Sequence, residues 1–134
     1  MRFIILVQAS PQSEAGVPPA APLLAAMAAF HAELARAGVL LDAAGLQPSA
    51  HGWRVHYGAD GSRSVTDGPF TERKELVGGY TLIEVRSRAE ALEWTRRFPA
   101  PHAGIDCHIE VRPLLSSDDV APGAAAAHIR DLHA

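Results

Sequence analysis

Two copies of one element order constrain the fold of this chain more than any other feature of its sequence. In each copy a strand precedes a helix and a second strand, and the helices carry apolar residues at helical spacing. The predicted elements cover residues 2–8, 22–37 and 39–43 in the first copy and residues 79–85, 88–98 and 108–114 in the second. A chain with this order builds one sheet with helices packed against it.

Local signals mark the ends of the helices and add a hairpin between the two copies. Gly38 is placed to end the first helix, and Ser87 with Glu90 forms a capping box that begins the second. Residues 53–57 alternate between apolar and polar, and residues 63–66 follow a glycine-containing turn, which predicts a β-hairpin. We therefore predict an α+β fold, a ferredoxin-like β-α-β repeat with an inserted β-hairpin.

Length and composition predict one domain with an ordinary soluble character. The chain has 134 residues, of which 48% are hydrophobic and 20% charged. We assign residues 1–117 to the α+β domain and residues 118–134 to an alanine-rich tail that favours a short helix. A net charge of −3 gives no basic surface for nucleic acid or an anionic membrane. The longest apolar run near the start is too short to span a membrane, and the single Cys107 favours a reducing, cytoplasmic location.

The predicted arrangement leaves one face of the sheet without helices. Four large side chains are expected on that face, and they are too apolar to stay in water as one patch: Trp53, Tyr57, Tyr80 and Leu82. Packing two such sheets face to face would cover them. We therefore predict a homodimer.

One stretch of sequence is more distinctive than the rest. It reads Asp67-Gly68-Pro69-Phe70, then Lys74-Glu75, then Gly78-Gly79-Tyr80. Together with the ordered segments at residues 38–46, 90–94 and 109–113, it resembles the DGPF branch of the YCII-related superfamily. The resemblance implies a dimeric α/β-barrel fold and an association with extracytoplasmic-function sigma factors, and it implies no particular reaction.

The superfamily is proposed to use a His–Asp pair whose histidine lies on the first helix. Counting back from Gly38, that position in this chain holds Met27, and the nearest histidine, His31, lies one turn further on. The resemblance therefore carries no catalytic histidine over to this chain. We expect His31 to be a residue at the edge of the helix rather than a base.

Asp67 and Lys74 are the predicted catalytic residues. The chain holds eleven arginines and one lysine, and only lysine has a charge that its surroundings readily change. Lys74 could bind an anion or form a Schiff base, or it could simply pair with Asp67 or Glu75. Asp67 could act as a base, or it could form a turn before Gly68 and Pro69.

The ligand-binding residues predicted beside this pair are Tyr80, Phe70, Glu75 and His56. Aromatic side chains with a few polar groups suit a pocket for a small organic molecule, although they also suit a dimer interface. The leading prediction is a homodimer that binds, and in one version transforms, a small organic molecule. The alternative is an interaction module linked to sigma-factor regulation.

Other motifs add no cofactor or metal. The histidines at positions 51, 56, 102 and 108 and Cys107 show no recognised ligand spacing, and no phosphate-binding or dinucleotide-binding loop is present. The pair Gly78-Gly79 is better explained by close approach of two backbones, or by a bend at the start of the strand, than by phosphate binding. We therefore predict neither a metal site nor a cofactor.

Overall fold

The chain folds into an antiparallel sheet with helices on one side and a separate two-stranded ribbon. A computed structural model describes residues 1–71, 75–102 and 104–132. The strands are β1 (Arg2–Gln8), β2 (Leu40–Gly45), β3 (Trp53–Tyr57), β4 (Arg63–Asp67), β5 (Val77–Glu84) and β6 (Ile109–Pro113). The helices are α1 (Pro11–Glu14), α2 (Ala21–Arg36), α3 (Arg88–Arg96) and α4 (Ala124–Leu132), with short 3-10 turns at Ser49–His51 and Ser117–Asp119.

The order of strands in the main sheet is β2-β5-β1-β6, and every neighbouring pair is antiparallel. This order interleaves the two β-α-β units, because β5 lies between β1 and β2, and β1 lies between β5 and β6. The structure is thus a mixed α+β fold with antiparallel sheets, consistent with a ferredoxin-like arrangement. The two strands of each β-α-β unit are therefore separated by a strand of the other unit and are hydrogen-bonded to it.

The hydrophobic core lies between the main sheet and the helices α2 and α3. Its fully buried side chains include Ile5, Leu34 and Ile83, none of which is measurably exposed to solvent. The rest of the buried cluster comprises Phe3, Phe30, Val39, Val85 and Ala91. The alternation along β5 follows the prediction, since Thr81, Ile83 and Val85 are buried while Leu82 and Glu84 are not.

Helix α3 begins at the predicted cap. Ser87 Oγ accepts a hydrogen bond from the backbone N–H of Glu90, and the Glu90 carboxylate accepts one from Arg86 N–H rather than from Ser87 N–H. Leu92 on this helix is 43% exposed. Trp94 packs inward, with its ring centroid 6.3 Å from that of Phe30.

Three boundaries differ from the predicted ones. The short helix α1 forms inside a segment predicted as a loop, because Ser10 caps it and Pro11 suits a first helical position. Strand β2 runs to Gly45 with an irregularity after Leu40, so it is longer than the apolar run suggested. Strand β5 starts at Val77, because two glycines continue the strand.

Strands β3 and β4 pair with each other and form a sheet of their own. The prediction that Trp53 and Tyr57 lie on the open face of the main sheet is therefore wrong. Local alternation identifies a strand but cannot say which sheet it joins. On the ribbon these two side chains are 67% and 64% exposed, and Val65 is 66% exposed.

The face of the main sheet opposite the core carries a second set of apolar side chains. Ile4 pairs with Leu82 and Leu6 pairs with Tyr80 across β1 and β5. All four are half-buried, and none belongs to the core cluster. The face opposite the core therefore carries an apolar patch on β1 and β5, bordered by the ion pairs Arg2–Glu84 and Glu110–Arg112, and helices α2 and α3 pack only on the other face.

The end of the chain forms helix α4 within the segment where a short helix was predicted. Ala126 on this helix is buried. In the preceding 3-10 turn, the backbone N–H and the hydroxyl of Ser116 both donate hydrogen bonds to the Asp119 carboxylate. None of the helices in the described ranges has the length and hydropathy that a membrane span requires.

The segment after β4 docks on the 3-10 turn at Ser49–His51. The backbone N–H of Gly68 donates to the carbonyl oxygen of Gly52, and the N–H of Phe70 donates to Ser49 Oγ. The backbone of Gly68 lies so close to the carbonyl of Ser49 that a Cβ at this position would overlap it. Glycine is required here by close approach of two backbones, and the Gly68–Pro69 peptide bond is cis.

We predict that Gly68→Ala lowers the free energy of unfolding by about 1–3 kcal/mol, because the added methyl group must displace the Ser49 backbone. Gly52→Ala is the matched control, since a Cβ there would lie 3.7 Å from the same carbonyl oxygen, an ordinary contact. Urea unfolding of both variants measures the difference. Equal stabilities of the two variants would contradict the close approach.

Candidate functional site

A cavity of about 400 Å³ lies between the main sheet and helix α2, at the end of the sheet where β5 begins. We call it the sheet–helix cavity. Its volume falls in the range of small-molecule sites. Its wall is mostly apolar and is formed by β1, β2, β5, helix α2 and the loop after α3.

The cavity exists because the inward-facing side chains of the sheet become smaller toward this end. Three inward rows cross strands β1, β5 and β2 in register. The first row is Phe3, Ile83 and Leu40; the second is Ile5, Thr81 and Ala43; the third is Val7, Gly79 and Gly45. The first row packs fully against the helices, whereas the third leaves the space open.

Close backbone contacts also explain the two glycines. A Cβ at Gly78 would lie 3.0 Å from the Cα of Ala9, and a Cβ at Gly79 would lie 3.0 Å from the carbonyl oxygen of Ala44. The prediction that close backbone approach accounts for this pair is confirmed. Because Gly79 faces inward, its missing side chain also deepens the cavity.

Helix α2 covers the cavity with its first half and packs the core with its second half. Leu23, Leu24 and Met27 line the cavity, whereas Phe30 and Leu34 are buried in the core. This division follows from the sheet below: the helix passes from the row of small residues to the row of large ones. Its apolar stripe therefore serves two purposes.

His31 lies on α2 where the cavity meets the core. Its Nε2 lies 2.8 Å from Thr81 Oγ1, and Thr81 is only 1% exposed. The imidazole ring also contacts Phe30 and Phe98 edge to face, with ring centroids 6.0 Å and 6.4 Å apart. The expectation that His31 is a helix-edge residue was therefore incomplete, because this ring is fixed at the wall of the cavity.

A second histidine lines the cavity from the loop after α3. His102 Nε2 lies 2.9 Å from the carbonyl oxygen of Gln8. Because a carbonyl oxygen only accepts hydrogen bonds, this nitrogen carries the proton. Cys107 Sγ donates a long hydrogen bond of 3.7 Å to the carbonyl of His102, which ties the loop back on itself.

Helix α1 contributes Ser13 to the rim of the cavity and is anchored from behind. The carboxylate of Glu14 accepts hydrogen bonds from the backbone N–H and the hydroxyl of Ser49. The same hydroxyl accepts the N–H of Phe70. The loop at residues 67–70 thus supports the rim through Ser49, and none of these four residues lines the cavity.

The residues predicted from sequence fall in different places. Of that set, Tyr80 is among the cavity-lining residues, whereas Asp67, Phe70, Glu75 and His56 are not. Asp67, Glu75 and His56 are exposed, and the Arg54 guanidinium lies 3.9 Å above the Phe70 ring. Lys74 lies outside the described residues. The catalytic roles of Asp67 and Lys74 stay a prediction.

The turn after Asp67 is held by hydrogen bonds of the following residues and not by a bond from the Asp67 side chain to the residue two positions on. The residue two positions on is Pro69, which has no N–H to donate. The turn is instead held by backbone groups of Gly68 and Phe70, as described above.

The Tyr80 side chain engages the open face of the sheet. Its hydroxyl donates a hydrogen bond of 2.8 Å to Asp42 Oδ2. This hydrogen bond, followed by the repulsion between a phenolate and the Asp42 charge, raises the pKa of Tyr80 above its ordinary value. Tyr80 is therefore among the residues that line the cavity, but its hydroxyl group is hydrogen-bonded to Asp42.

The sequence interpretation missed His31, His102 and Thr81 as one site. A signal was present for Thr81, because it is a polar residue at an inward position of a strand that is otherwise apolar on that face. The helical spacing also places His31 one turn after Met27, on the same stripe. Nothing local points to His102, which arrives through a loop.

No metal site is found in the part of the chain that the structure describes. In that part, no group of three or more histidine, cysteine, aspartate or glutamate side chains could hold a metal ion. The polar side chains that line the cavity include the imidazoles of His31 and His102 and the hydroxyls of Ser13, Thr81 and Tyr80.

The fold and the cavity define a ferredoxin-like α+β protein with room for one small molecule. The model of the YCII-related domain matches residues 1–115, and the chain belongs to that family. A search of curated proteins gives no match.

One similar solved structure is 5-chloro-2-hydroxyhydroquinone dehydrochlorinase from Burkholderia phenoliruptrix AC1100, in complex with 2,5-dihydroxybenzoquinone. The two chains are 19% identical with a TM-score of 0.48, and the match covers 87% of this chain and 95% of that chain. We draw nothing about function from a similarity at this level.

We predict that Asp42→Asn lowers the pKa of Tyr80 toward its ordinary value of about 10. The raised pKa in the folded state means that the bond stabilises the fold below that ordinary value and is lost as the pH rises through the titration of Tyr80. The measurement is an alkaline ultraviolet titration in a Tyr57→Phe background, which leaves one tyrosine. Asp60→Asn is the control, and an unchanged titration in Asp42→Asn would contradict the assignment.

Proposed function

We propose that this YCII-related protein binds a small, largely apolar organic molecule in the sheet–helix cavity and that His31 exchanges a proton with it. The observation that carries the proposal is the hydrogen bond between His31 and the buried Thr81 at the wall of an otherwise apolar cavity. A largely apolar cavity with a few fixed polar groups is the usual form of a small-molecule site.

Burial makes the His31–Thr81 pair informative. A polar side chain that is 1% exposed needs a hydrogen-bond partner, and the imidazole supplies it. The two ring contacts with Phe30 and Phe98 restrict the imidazole further. A histidine held on three sides keeps a defined orientation toward a bound molecule.

The chemistry follows from which nitrogen is used. Among the described residues, the only hydrogen bond of His31 is the one from Nε2 to Thr81. Nδ1 is therefore the atom through which this imidazole would take up or release a proton. Imidazole can do both near neutral pH, which makes it the commonest general acid and base in proteins.

The test uses 2-naphthol, a neutral molecule with an apolar body and one hydroxyl group. The chain has two methionines, Met1 at the start and Met27 at the cavity, so methyl NMR distinguishes the cavity from the surface. We predict that 2-naphthol shifts the Met27 methyl signal and leaves that of Met1 unchanged. His31→Asn is expected to weaken binding about tenfold or more, which corresponds to about 1.4 kcal/mol.

Two further variants make this test specific. Thr81→Val keeps the imidazole but removes its partner, so we expect a smaller loss of affinity than in His31→Asn. His56→Asn is the matched control, because His56 is exposed on the ribbon and does not line the cavity. The proposal fails if 2-naphthol leaves Met27 unmoved, or if His31→Asn and His56→Asn bind equally well.

The distinctive loop remains the competing location for ligand binding. The roles proposed from sequence, with Asp67 and Lys74 as catalytic residues and Phe70, Glu75, His56 and Tyr80 as ligand-binding residues, are tested by the same titration. Loss of binding in Asp67→Asn and Lys74→Met with full binding in His31→Asn would place the ligand at the loop. The assignment to the DGPF branch, which rests on this loop together with the segments at residues 38–46, 90–94 and 109–113, is likewise proposed.

We also propose that two copies pair through the open face of the main sheet in a dimeric α/β-barrel arrangement. The support is the half-buried apolar row of Ile4, Leu6 and Leu82, which lies on the face opposite the core. Exposed Trp53 and Tyr57 on the ribbon add apolar surface of the kind that interfaces use. Neither the family match nor the described structure favours the alternative of a sigma-factor interaction module.

We predict that light scattering gives the wild-type protein twice the mass of one chain. Leu82→Arg is expected to give the mass of one chain, because it would place a charge in the apolar interface. A stable pair needs to bury roughly 1,000 Å² or more. Leu92→Arg is the control, because Leu92 is exposed on helix α3 in the other layer. A wild-type protein that stays monomeric at micromolar concentration would refute the pairing.

A further inference from the structure

The charge of the cavity wall narrows the chemistry of its ligand. Among the described residues that line the cavity there is no aspartate, glutamate, lysine or arginine. The basic side chains among these lining residues are His31 and His102, and a protonated imidazole carries a positive charge. The wall can thus become cationic but has no carboxylate with which to hold a cation.

We propose that the natural ligand is a small apolar organic acid that binds as its anion, with the acidic group at the two imidazoles and the apolar body over the third row of the sheet. The inference rests on the proposed function and names the class of ligand. The support is that both histidines line the same cavity and that the His31 ring contacts Phe98, which lies four residues before His102.

Both imidazoles are anchored through the same nitrogen. His31 Nε2 contacts Thr81, His102 Nε2 donates to Gln8, and these are their only hydrogen bonds among the described residues. Each ring therefore has Nδ1 left for a ligand. A carboxylate only accepts hydrogen bonds, so it binds best when Nδ1 carries a proton and the ring is charged.

Energetics favour an anion over the alternatives. Moving any ion into an apolar cavity is unfavourable unless an opposite charge meets it there. The imidazolium groups supply that charge for an anion, and a charge-assisted hydrogen bond is roughly twice as strong as a neutral one. A cation would meet no partner on this wall, and a neutral molecule would gain only ordinary hydrogen bonds.

The small residues at the floor set the place of the apolar body. The paired Gly79 and Gly45 add no side chain to the cavity, which Leu23 and Met27 of helix α2 also line. A planar apolar group between this floor and the helix would bury its faces without displacing a side chain. The acid group would then point toward the histidine wall.

The experiment uses three near-isosteric molecules that differ in charge: 2-naphthoate, 2-naphthamide and 2-naphthamidinium. Titrations at one fixed pH near neutrality follow the Met27 methyl signal. We expect 2-naphthoate to bind at least tenfold more tightly than the amide and the amidinium to bind most weakly. His102→Gln is expected to remove most of the preference for the acid over the amide.

Cys107→Ser is the control for His102→Gln, because it alters the same loop without removing an imidazole, and it should keep the preference. An amide or amidinium that binds as tightly as the acid would overturn the inference while leaving the proposed function standing. So would a preference for the acid that survives both His102→Gln and His31→Asn. If neither 2-naphthol nor any of the three charged or neutral analogues shifts the Met27 methyl signal, both the inference and the proposed function are wrong.

Discussion

The decreasing size of side chains along the inward face of the sheet is the constraint on which the rest of the structure depends. Large residues at one end, in the row of Phe3 and Ile83, let the helices pack closely and form the core. Glycine at the other end, at Gly79 and Gly45, puts no side chain into the space between the sheet and helix α2. Because interiors pack to nearly constant density, a row without side chains leaves either a collapse or a cavity. Here helix α2 packs on the large residues through Phe30 and Leu34, and the space over the glycines forms the cavity.

Helix α2 bridges the packed end and the open end, and this gives His31 its particular surroundings. Phe30 is buried in the core and Met27 faces the cavity, so His31 is placed where apolar packing stops. A polar side chain in that place meets Thr81, the polar member of the middle row. The hydrogen bond therefore lies at the junction of core and cavity, where it satisfies a buried hydroxyl and orients an imidazole at the same time.

The helices and strands could be predicted from the sequence because their signals are local. The cavity could not be predicted, because its residues lie far apart along the chain. The cap at Ser87 and the alternation in β5 each involve a few neighbouring residues, and the structure reproduces them. The placement of Trp53 on a separate ribbon depends on contacts that no alternation pattern encodes. The cavity depends on the register that brings Val7, Gly79 and Gly45 into one row from three parts of the chain. Registers of this kind are set by the whole sheet.

The distinctive stretch of the sequence meets the cavity in two ways: Gly78, Gly79 and Tyr80 line it, whereas the loop at residues 67–70 lies outside the lining. The Ser49 hydroxyl accepts a hydrogen bond from the N–H of Phe70. The hydroxyl and the backbone N–H of Ser49 both donate hydrogen bonds to the carboxylate of Glu14, the last residue of α1. Helix α1 is short and has no buried side chain, so it cannot hold its position by packing. The loop therefore fixes the rim that carries Ser13, and glycine at position 68 is needed for that docking. A sequence pattern that looks catalytic because it is distinctive can equally be the support of a site formed elsewhere.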